Sequence, residues 1–303
     1  MTKRFFIIIC CFAFVAFVFA DVGGFVDAGR RGILLFGQNV LPVLFPFFFV
    51  SGLLVEIGFF SGFKRFGAVA PVFALSLISG YPTGARLLGD LYRRGEITRE
   101  QAIRTATFTS TCSPIFIIAT LGACFYGSAA IGVLVFAAHS LGALVNGLVY
   151  YKVKFKVTEH FSQIPLLEKG VSRSKRDGVC DISAAISNSL YSAIQNIFAV
   201  GGLIVVFFIA TDLVTSLLPG ANIGGVFISG ILEMTNGVYL ASLAAPGALL
   251  LPCAIVSFGG LCVAMQSFVF FRAFRMPLWF YFLYKTTHTI LAVAICLILC
   301  AIF

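Results

Sequence analysis

Apolar stretches that are long enough for membrane helices alternate with short polar stretches along this chain. They cover residues 31–60, 66–92, 105–125 and 127–151 in the first half, and 182–218, 223–243, 250–271 and 279–303 in the second. A helix needs about 20 apolar residues to cross a bilayer. The pattern therefore predicts an all-α polytopic membrane protein.

The first 21 residues form a separate segment. Lys3 and Arg4 precede the apolar run 5–20, and Asp21 follows it. This arrangement fits either a short first span or a cleaved signal peptide that ends at Ala20, and we favour the retained span. Under both interpretations the amino terminus starts in the cytoplasm and residue 21 emerges outside.

The apolar segment 66–92 contains a break in its middle, within LISGYPTGARLLGDLYRRGE (77–96). Pro82 presets a turn dihedral, and the flanking glycines tolerate the backbone that a tight turn needs. Basic residues stand at both ends of the segment, 64–65 before it and 93–94 after it, which places both ends in the cytoplasm. A segment that enters and leaves on one side predicts a re-entrant helical hairpin with GYPTG at its tip.

The next segment begins with a helix start signal. Thr98 and Gln101 have the spacing of a capping box, so a helix is expected to begin near residue 99. Further on, FTSTCSPIF (108–116) places four hydroxyl groups and Pro114 inside the span. These hydroxyls can line a cavity or bond back to their own helix. We favour a cavity lining and a broken span.

The second half repeats the first at a shift of 150 residues. Val50-Ser51-Gly52-Leu53 falls on Val200-Gly201-Gly202-Leu203, and Ile78-Ser79-Gly80 falls on Ile228-Ser229-Gly230. The repeats are 31–151 and 182–303, and the basic linker 152–181 between them is expected to be cytoplasmic. The first repeat therefore starts outside and the second starts inside. This predicts two inverted-topology repeats, an architecture typical of secondary transporters.

The repeat also predicts counterparts for both breaks in the second half. The second hairpin, 223–243, would turn near SGILEMTNG (229–237), and Gly259-Gly260 would break the second span.

The composition excludes a soluble protein. Of the 303 residues, 60% are hydrophobic and 11% are charged, which is too apolar for a solvated surface. The net charge of +9 comes from basic residues in short loops, where they orient the spans, so it does not indicate nucleic-acid binding. The nine cysteines lie mostly in apolar segments without C-x-x-C spacing, and we interpret them as small buried residues rather than disulfides or metal ligands.

Broken helices inside a membrane indicate where the chemistry lies. A half-helix that begins near Thr83 presents free N–H groups and a partial positive charge, which favours an anion, and Arg86 could clamp a carboxylate. Two alternatives stay open for Arg86: it snorkels to the interface, or it pairs with Asp90 on the same helix face. Glu233 at the second turn is a candidate for proton or cation coupling, or else a carboxylate in an external vestibule.

The candidate substrate-binding residues come from both hairpins and both broken spans. They are Ser79, Gly80, Tyr81, Pro82, Thr83, Gly84, Arg86, Thr109, Ser110, Thr111, Ser113, Ser229, Gly230, Glu233, Thr235, Asn236 and Gln266. His139 and His288 occupy similar places in the last span of each repeat, and buried neutral histidines are the commoner outcome there. The chain has no P-loop, H-E-x-x-H or G-x-S-x-G motif, so we predict no enzyme, catalytic residue, metal or cofactor.

Over residues 31–300 the chain resembles the sporulation integral membrane protein YlbJ family. The resemblance is carried by five stretches: LPVLFPFFFVSGLL, SGYPTGARLLGDLYRRGEIT, FTSTCSPIF, GILEMTNG and SFGGLCVAMQSF. That family is related to the nucleoside-recognition or Gate domains of nucleoside and ferrous-iron transport proteins. In one branch it moves dipicolinic acid across the outer forespore membrane from the mother cell. The resemblance therefore implies a small aromatic dicarboxylate as substrate and that membrane as location.

Two departures from the family pattern fall in the expected cavity. The hydroxyl motif reads Ser-Thr-Cys-Ser-Pro at 110–114 where an asparagine-containing version is expected. Ala264 stands where a glutamine is expected, which leaves Gln266 as the amide of that segment.

Three functions stay open from the sequence. The first is a secondary transporter or facilitator of a small organic anion, the second a non-transporting membrane scaffold of sporulation, and the third a nucleoside-type transporter. The expected partners are the lipid bilayer and an anionic solute. A homo-oligomer stays open, because Gly142 and Gly147 fit helix packing within a subunit or between subunits.

Overall fold

The computed structural model describes residues 21–63, 69–151, 181–216 and 223–302, with isolated positions between 5 and 19. These ranges are nearly all helical and contain no strand. More than half of the predicted first span within 1–21, and nearly all of the predicted cytoplasmic linker 152–181, lie outside the described residues.

Twelve α-helices, interrupted by short π- and 3₁₀-helical segments, make up the described chain. They are α1 (Val22–Leu35), α2 (Leu41–Glu56), α3 (Val69–Ser79), α4 (Thr83–Arg93), α5 (Arg99–Thr109), α6 (Ala129–Tyr151), α7 (Ile182–Ser216), α8 (Ile223–Leu232), α9 (Met234–Ala244), α10 (Leu250–Phe258), α11 (Gly260–Phe271) and α12 (Leu278–Ile302). The π-helical segments are Phe36–Val40, which joins α1 to α2, and Ile115–Phe125, which continues the span after α5. The 3₁₀ turns are Phe59–Phe63 and Arg272–Phe274.

Five helical stretches among the described residues are long and apolar enough to cross a membrane. They are Val22–Glu56, Ala129–Tyr151, Ile182–Ser216, Leu250–Phe274 and Leu278–Ile302. The prediction of an all-α polytopic membrane protein is confirmed.

The first long helix begins at Val22, earlier than the predicted residue 31. Asp21 caps it, since its Oδ1 accepts a hydrogen bond from the Gly24 N–H at 2.9 Å. The charges within this helix are paired, since Arg31 contacts Asp27 one turn earlier and Asp212 of α7 at 2.7 Å.

Neither proline of the segment 31–60 ends this helix. Pro46 lies inside α2, and Pro42 lies at its start, directly after the π-helical turn Phe36–Val40. Proline lacks an N–H and clashes with the preceding turn of an α-helix. The π-helical turn shifts the backbone hydrogen bonds directly before Pro42, so the missing N–H is accommodated and the chain continues as one helix.

Both predicted hairpins are present as pairs of short helices in contact. Helices α3 and α4 have 11 residues each and meet at 80–82, while α8 and α9 have 10 and 11 residues and meet at Glu233. Eleven residues of α-helix span roughly 16 Å, about half the hydrocarbon thickness of a bilayer. These lengths fit hairpins whose tips lie in the middle of the membrane.

The same order of elements occurs twice along the chain. A long helix of 35 residues is followed by a hairpin, an interrupted helix and a final long helix in 22–151 and again in 182–302. The predicted helix start near residue 99 is confirmed, with a complete capping box between Thr98 and Gln101. The inverted relation of the two repeats stays a prediction.

The basic loops lie together at one end of the helix bundle. Arg94 pairs with Glu56 at the end of α2, and the Nε of Arg99 donates to the carbonyl of Phe274 at 2.8 Å. The loops that follow α2, α4 and α11 therefore lie together, as expected for loops on one side. That this side is cytoplasmic stays a prediction.

Two large charged side chains lie in the interior, and many large apolar side chains lie on the surface. Arg86 and Lys285 are among the largest fully buried side chains, whereas Leu148 is 73% and Phe198 is 65% exposed. A soluble protein shows the reverse distribution. The outer surface therefore suits lipid, and the polar groups concentrate in the interior, around the helix breaks.

Candidate functional site

The four helix breaks meet in the interior of the bundle. Gly80 at the first hairpin tip has φ +79°, and a Cβ built there would lie 2.6 Å from the backbone N of Ser113, in the first broken span. A Cβ built on Gly260, in the second broken span, would lie 3.0 Å from the carbonyl O of Gly230 in the second hairpin. Each hairpin tip thus touches the broken span of its own repeat.

Tyr81 connects the two repeats at this junction. Its hydroxyl donates to the carbonyl of Val256 in the last turn of α10 at 3.2 Å, and its ring lies against Gly259. The convergence of both hairpin tips, expected for a transport site, is therefore present in the fold.

A cavity of about 140 Å³ lies at the junction. Six predicted site residues line it, from both repeats: Ser79, Tyr81, Ser113, Glu233, Thr235 and Gln266. Apolar side chains, including Val43 and Val263, form much of the rest of the wall. The cavity is thus a largely apolar cleft with a few polar groups, as is usual for a small-molecule site.

Two polar lining residues were missed from the sequence. Asn39 belongs to the π-helical turn Phe36–Val40, and Thr120 belongs to the π-helical segment Ile115–Phe125. Single π turns occur frequently at functional sites. They leave no mark in the apolar pattern, so the sequence carries no signal for either residue.

The other predicted site residues do not line the cavity. They are Gly80, Pro82, Thr83, Gly84, Arg86, Thr109, Ser110, Thr111, Ser229, Gly230 and Asn236. The hydroxyl of Thr109 donates to the Thr105 carbonyl at 3.0 Å, and that of Ser110 donates to the Ala106 carbonyl at 3.2 Å. These two hydroxyls bond back to their own helix rather than facing the cavity.

Arg86 is directed away from the cavity, towards α2 and α7. Its side chain is 1% exposed, donates to the carbonyl of Phe48, and holds its guanidinium 4.7 Å from the centre of the Phe48 ring. Its Nε lies 3.6 Å from Asp90, and its Nη2 lies 3.4 Å from the hydroxyl of Ser192. Arg86 does not snorkel, and pairing with Asp90 is the alternative that the geometry favours. Its role as a carboxylate clamp stays a prediction.

Glu233 caps the second half-helix of its hairpin. Its two carboxylate oxygens accept hydrogen bonds from the backbone N–H groups of Thr235 at 3.0 Å and Asn236 at 2.8 Å. A helix N-terminus attracts an anion because of these free N–H groups and its partial positive charge. The protein supplies that anion itself, so an anionic solute would have to displace Glu233 to bind there.

The first half-helix terminus is also enclosed. A Cβ built on Gly84 would collide with the carbonyl O of Thr109, and the Thr83 hydroxyl is buried without a hydrogen-bond partner among the described residues. The N-terminus of α4 therefore packs on α5 instead of opening to the cavity.

Lys285 is a further candidate functional residue that the sequence analysis did not include. It lies on α12, is 0% exposed, and its Nζ donates to the hydroxyl of Tyr81 at 2.7 Å and to the carbonyl of Ser110 at 3.2 Å. The signal was available, because Lys285 is an ionisable residue inside the apolar segment 279–303 and such residues are functional candidates.

His139, on α6, links the first break to the last turn of α10 through two hydrogen bonds. Its Nε2 accepts from the backbone N–H of Cys112 at 2.9 Å, so its proton lies on Nδ1, which donates to the hydroxyl of Ser257 at 3.0 Å. His288 contacts the His139 carbonyl through Nε2 at 3.0 Å. Both rings are buried and serve the packing, which is the commoner outcome expected for such histidines.

Replacing His139 with leucine is expected to lower the free energy of unfolding by roughly 1–3 kcal/mol, because the Cys112 N–H is left buried without an acceptor. Thermal unfolding in detergent measures this loss. Ser140→Ala is the matched control, since the Ser140 hydroxyl is buried without a hydrogen-bond partner in the described structure. Equal melting temperatures for both variants would contradict the bridging role of His139.

Sequence comparison finds a relative among sporulation proteins. The sporulation integral membrane protein YlbJ of Bacillus subtilis (strain 168) is 27% identical to this chain over 228 residues, which are 69% of this chain and 56% of that protein. The chain thus spans about half the length of the curated relative that it matches. No family model and no solved structure matches the chain. The similarity agrees with the resemblance in the sequence motifs, whereas the relation to Gate domains stays a prediction. By its apolar helices and by this relative, the chain is an integral membrane protein similar to a protein of sporulation.

Proposed function

We propose that the chain is a secondary transporter or facilitator for a small organic anion, with the cavity between the hairpin tips as its solute site. The observation that supports this is the meeting of four helix breaks at one cavity. Irregular backbone inside lipid leaves polar groups without partners unless it is buried in protein or lines a wet path. A scaffold would need neither the breaks nor the cavity.

The arrangement of the long helices offers a way to alternate access. Helix α2 packs on α7, and α6 packs on α12, so each contact joins one repeat to the other. We propose that the repeats are inverted and that one bundle moves against the other around the solute.

Dipicolinic acid is the first candidate solute. The family resemblance implies it, and a cavity of about 140 Å³ holds only a small solute. Positive charge adjoins the cavity, because the Nζ of Lys285 is bonded to Tyr81 and Tyr81 lines the wall. Under this proposal the protein works in the outer forespore membrane.

A nucleoside is the second candidate solute, and the polar side chains of the cavity wall favour it. Two amides, Asn39 and Gln266, line the cavity together with the carboxylate of Glu233. Within the described ranges no lysine or arginine forms part of the wall. An uncharged polar solute would avoid repulsion by Glu233, which a dicarboxylate would meet.

Uptake into vesicles that carry the purified protein distinguishes these candidates. We expect uptake of labelled dipicolinate that excess uridine does not reduce. Gln266→Leu is expected to lower uptake at low dipicolinate roughly tenfold, the effect of losing about 1.4 kcal/mol of hydrogen bonding. Gln38→Leu is the matched control, because Gln38 is exposed and not part of the cavity wall.

The outcomes separate the three functions. Uptake of uridine in place of dipicolinate would favour the nucleoside transporter. Uptake of neither solute would contradict transport of these solutes and leave the scaffold. An equal loss for Gln38→Leu and Gln266→Leu would contradict the cavity as the solute site.

A further inference from the structure

Lys285 is a buried cation without a counter-charge. Arg86, Arg94 and Arg104 each lie within ion-pair distance of an aspartate or glutamate. In the part of the chain that the structure describes, Lys285 has no such partner. Its Nζ contacts two neutral oxygens and lies 4.8 Å from the centre of the Tyr81 ring.

Each of the two oxygens that Nζ contacts connects Lys285 to the carboxyl end of a half-helix, one directly and one through Tyr81. Ser110, whose carbonyl accepts from Nζ at 3.2 Å, is the C-cap of α5. Tyr81, whose hydroxyl accepts from Nζ at 2.7 Å, donates in turn to the Val256 carbonyl in the last turn of α10. Lys285 and Tyr81 together thus satisfy carbonyl groups at the ends of two interrupted helices.

Helix carboxyl ends carry a partial negative charge. In carriers built from broken helices, unwound carbonyls and half-helix carboxyl ends hold the coupling Na⁺ or proton. The ammonium group of Lys285 occupies a place of this kind. It is tethered to α12, so it is a cation that cannot leave but can lose its proton.

The groups around Lys285 cannot easily take over its charge. The titratable side chains near it are Tyr81 from the hairpin tip, Cys112 from the first break, His139 from α6 and His288 from α12, while Tyr281 and Tyr284 adjoin Tyr81. The Nε2 of His139 is occupied by the Cys112 N–H, and its Nδ1 is bonded to Ser257 of α10, a residue that does not titrate. Both ring nitrogens of His139 therefore have other partners, and His139 is not available to accept the proton of Lys285.

A buried ammonium without a carboxylate is costly, whereas a buried amine with hydrogen-bond partners is less so. Loss of the proton would weaken the bond from Nζ to Tyr81, because a charged donor binds about twice as strongly as a neutral one. Tyr81 lines the cavity and touches α10, so its release would loosen the link between the repeats. A change of charge at Lys285 is thereby connected to the solute site.

We propose that Lys285 carries the proton that is coupled to transport, in place of a bound sodium ion. Protonated Lys285 holds Tyr81 between α5 and α10. Released to water on one side of the membrane, the proton leaves a neutral amine and a freed Tyr81, and a proton from water on the other side restores the link. This inference rests on the proposed transport function.

Proton movement during uptake tests the proposal. In vesicles that contain a pH-sensitive dye, we expect dipicolinate uptake by the unaltered protein to move protons and to continue when choline replaces Na⁺. Lys285→Arg keeps the charge but cannot release its proton. Lys285→Gln has no proton to release. We expect both variants to lose uptake driven by a pH gradient, down to the level of protein-free vesicles, while labelled dipicolinate still exchanges for unlabelled dipicolinate.

Arg104→Gln is the control, because it removes a partly exposed positive charge on α5 that is paired with Glu100. Its gradient-driven uptake is expected to equal that of the unaltered protein.

The two proposals fail in different ways. Absence of dipicolinate uptake and exchange by the unaltered protein contradicts the transport function itself. Uptake that moves no protons or requires Na⁺ overturns the role of Lys285 and leaves transport intact. Gradient-driven uptake by Lys285→Arg also overturns it. If the variants fail to fold, the proton movement and the Na⁺ dependence of the unaltered protein still test the role of Lys285.

Discussion

Alanine at position 80 is expected to remove most of the folded protein. Gly80 has φ +79°, and a left-handed conformation costs an L-residue roughly 1–2 kcal/mol. A Cβ there would also lie 2.6 Å from the backbone N of Ser113 and 2.8 Å from its Cβ. Because backbone cannot move aside as a side chain can, crowding of this kind adds roughly 1–3 kcal/mol. We expect Gly80→Ala to lower the free energy of unfolding by roughly 2–5 kcal/mol in total.

Gly95→Ala separates backbone strain from crowding. Gly95 has φ +71°, close to that of Gly80, but a Cβ there would meet nothing within 4 Å. We expect Gly95→Ala to show the strain alone and to yield folded protein. Yield after size-exclusion chromatography and melting temperature in detergent measure both variants. If Gly80→Ala is no less stable than Gly95→Ala, the hairpin tip does not press against the first broken span.

Truncation of Arg86 is expected to have a similar effect on stability through electrostatics. Leaving a buried acceptor without its donor typically costs about 1–3 kcal/mol, and more where the donor is charged. Arg86→Ala removes the charged donor to the Phe48 carbonyl that joins α4 to α2, while Asp90 keeps Arg93 as its partner. We expect a loss in this range in an unfolding titration.

Arg93→Ala is the matched control for Arg86→Ala. Arg93 also binds Asp90, but its side chain is 34% exposed. Exposed pairs contribute roughly 0–1 kcal/mol, so the control is expected to stay near the unaltered stability. Equal losses for the two variants would contradict the buried structural role of Arg86.

The same variant addresses the carboxylate clamp. If Arg86 serves packing alone, dipicolinate uptake per folded molecule stays unchanged in Arg86→Ala. A loss of uptake beyond the loss of folded protein would restore the clamp predicted from the sequence.

The breaks were predictable because their causes are local. Pro82 and Gly80 disfavour a continuous helix wherever they stand, and Thr98 with Gln101 starts a helix by its own hydrogen bonds. The hairpins, both broken spans and the start of α5 accordingly lie where the sequence placed them. The start of α1 was placed too late because only the apolar run from residue 31 was counted, whereas Asp21 caps a helix that begins at Val22.

The functional side chains were less predictable than the elements that carry them. Arg86 stands beside a break and faces the outer helices, while Lys285 stands in an unbroken helix and reaches the junction. A charged residue that is close to a break along the chain is therefore not necessarily the one that lies beside the cavity.

By itself, the sequence determined the membrane class, the order of helices and the positions of the four breaks, because hydrophobicity, glycine, proline and caps act over a few residues. Only the tertiary structure decided which polar groups face the cavity. In a soluble protein, an apolar stripe marks the buried face of each helix. In a membrane protein both the lipid face and the core are apolar. A helix such as α12 therefore carries no pattern to say where Lys285 points, and packing against α5, α6 and α10 sets its direction.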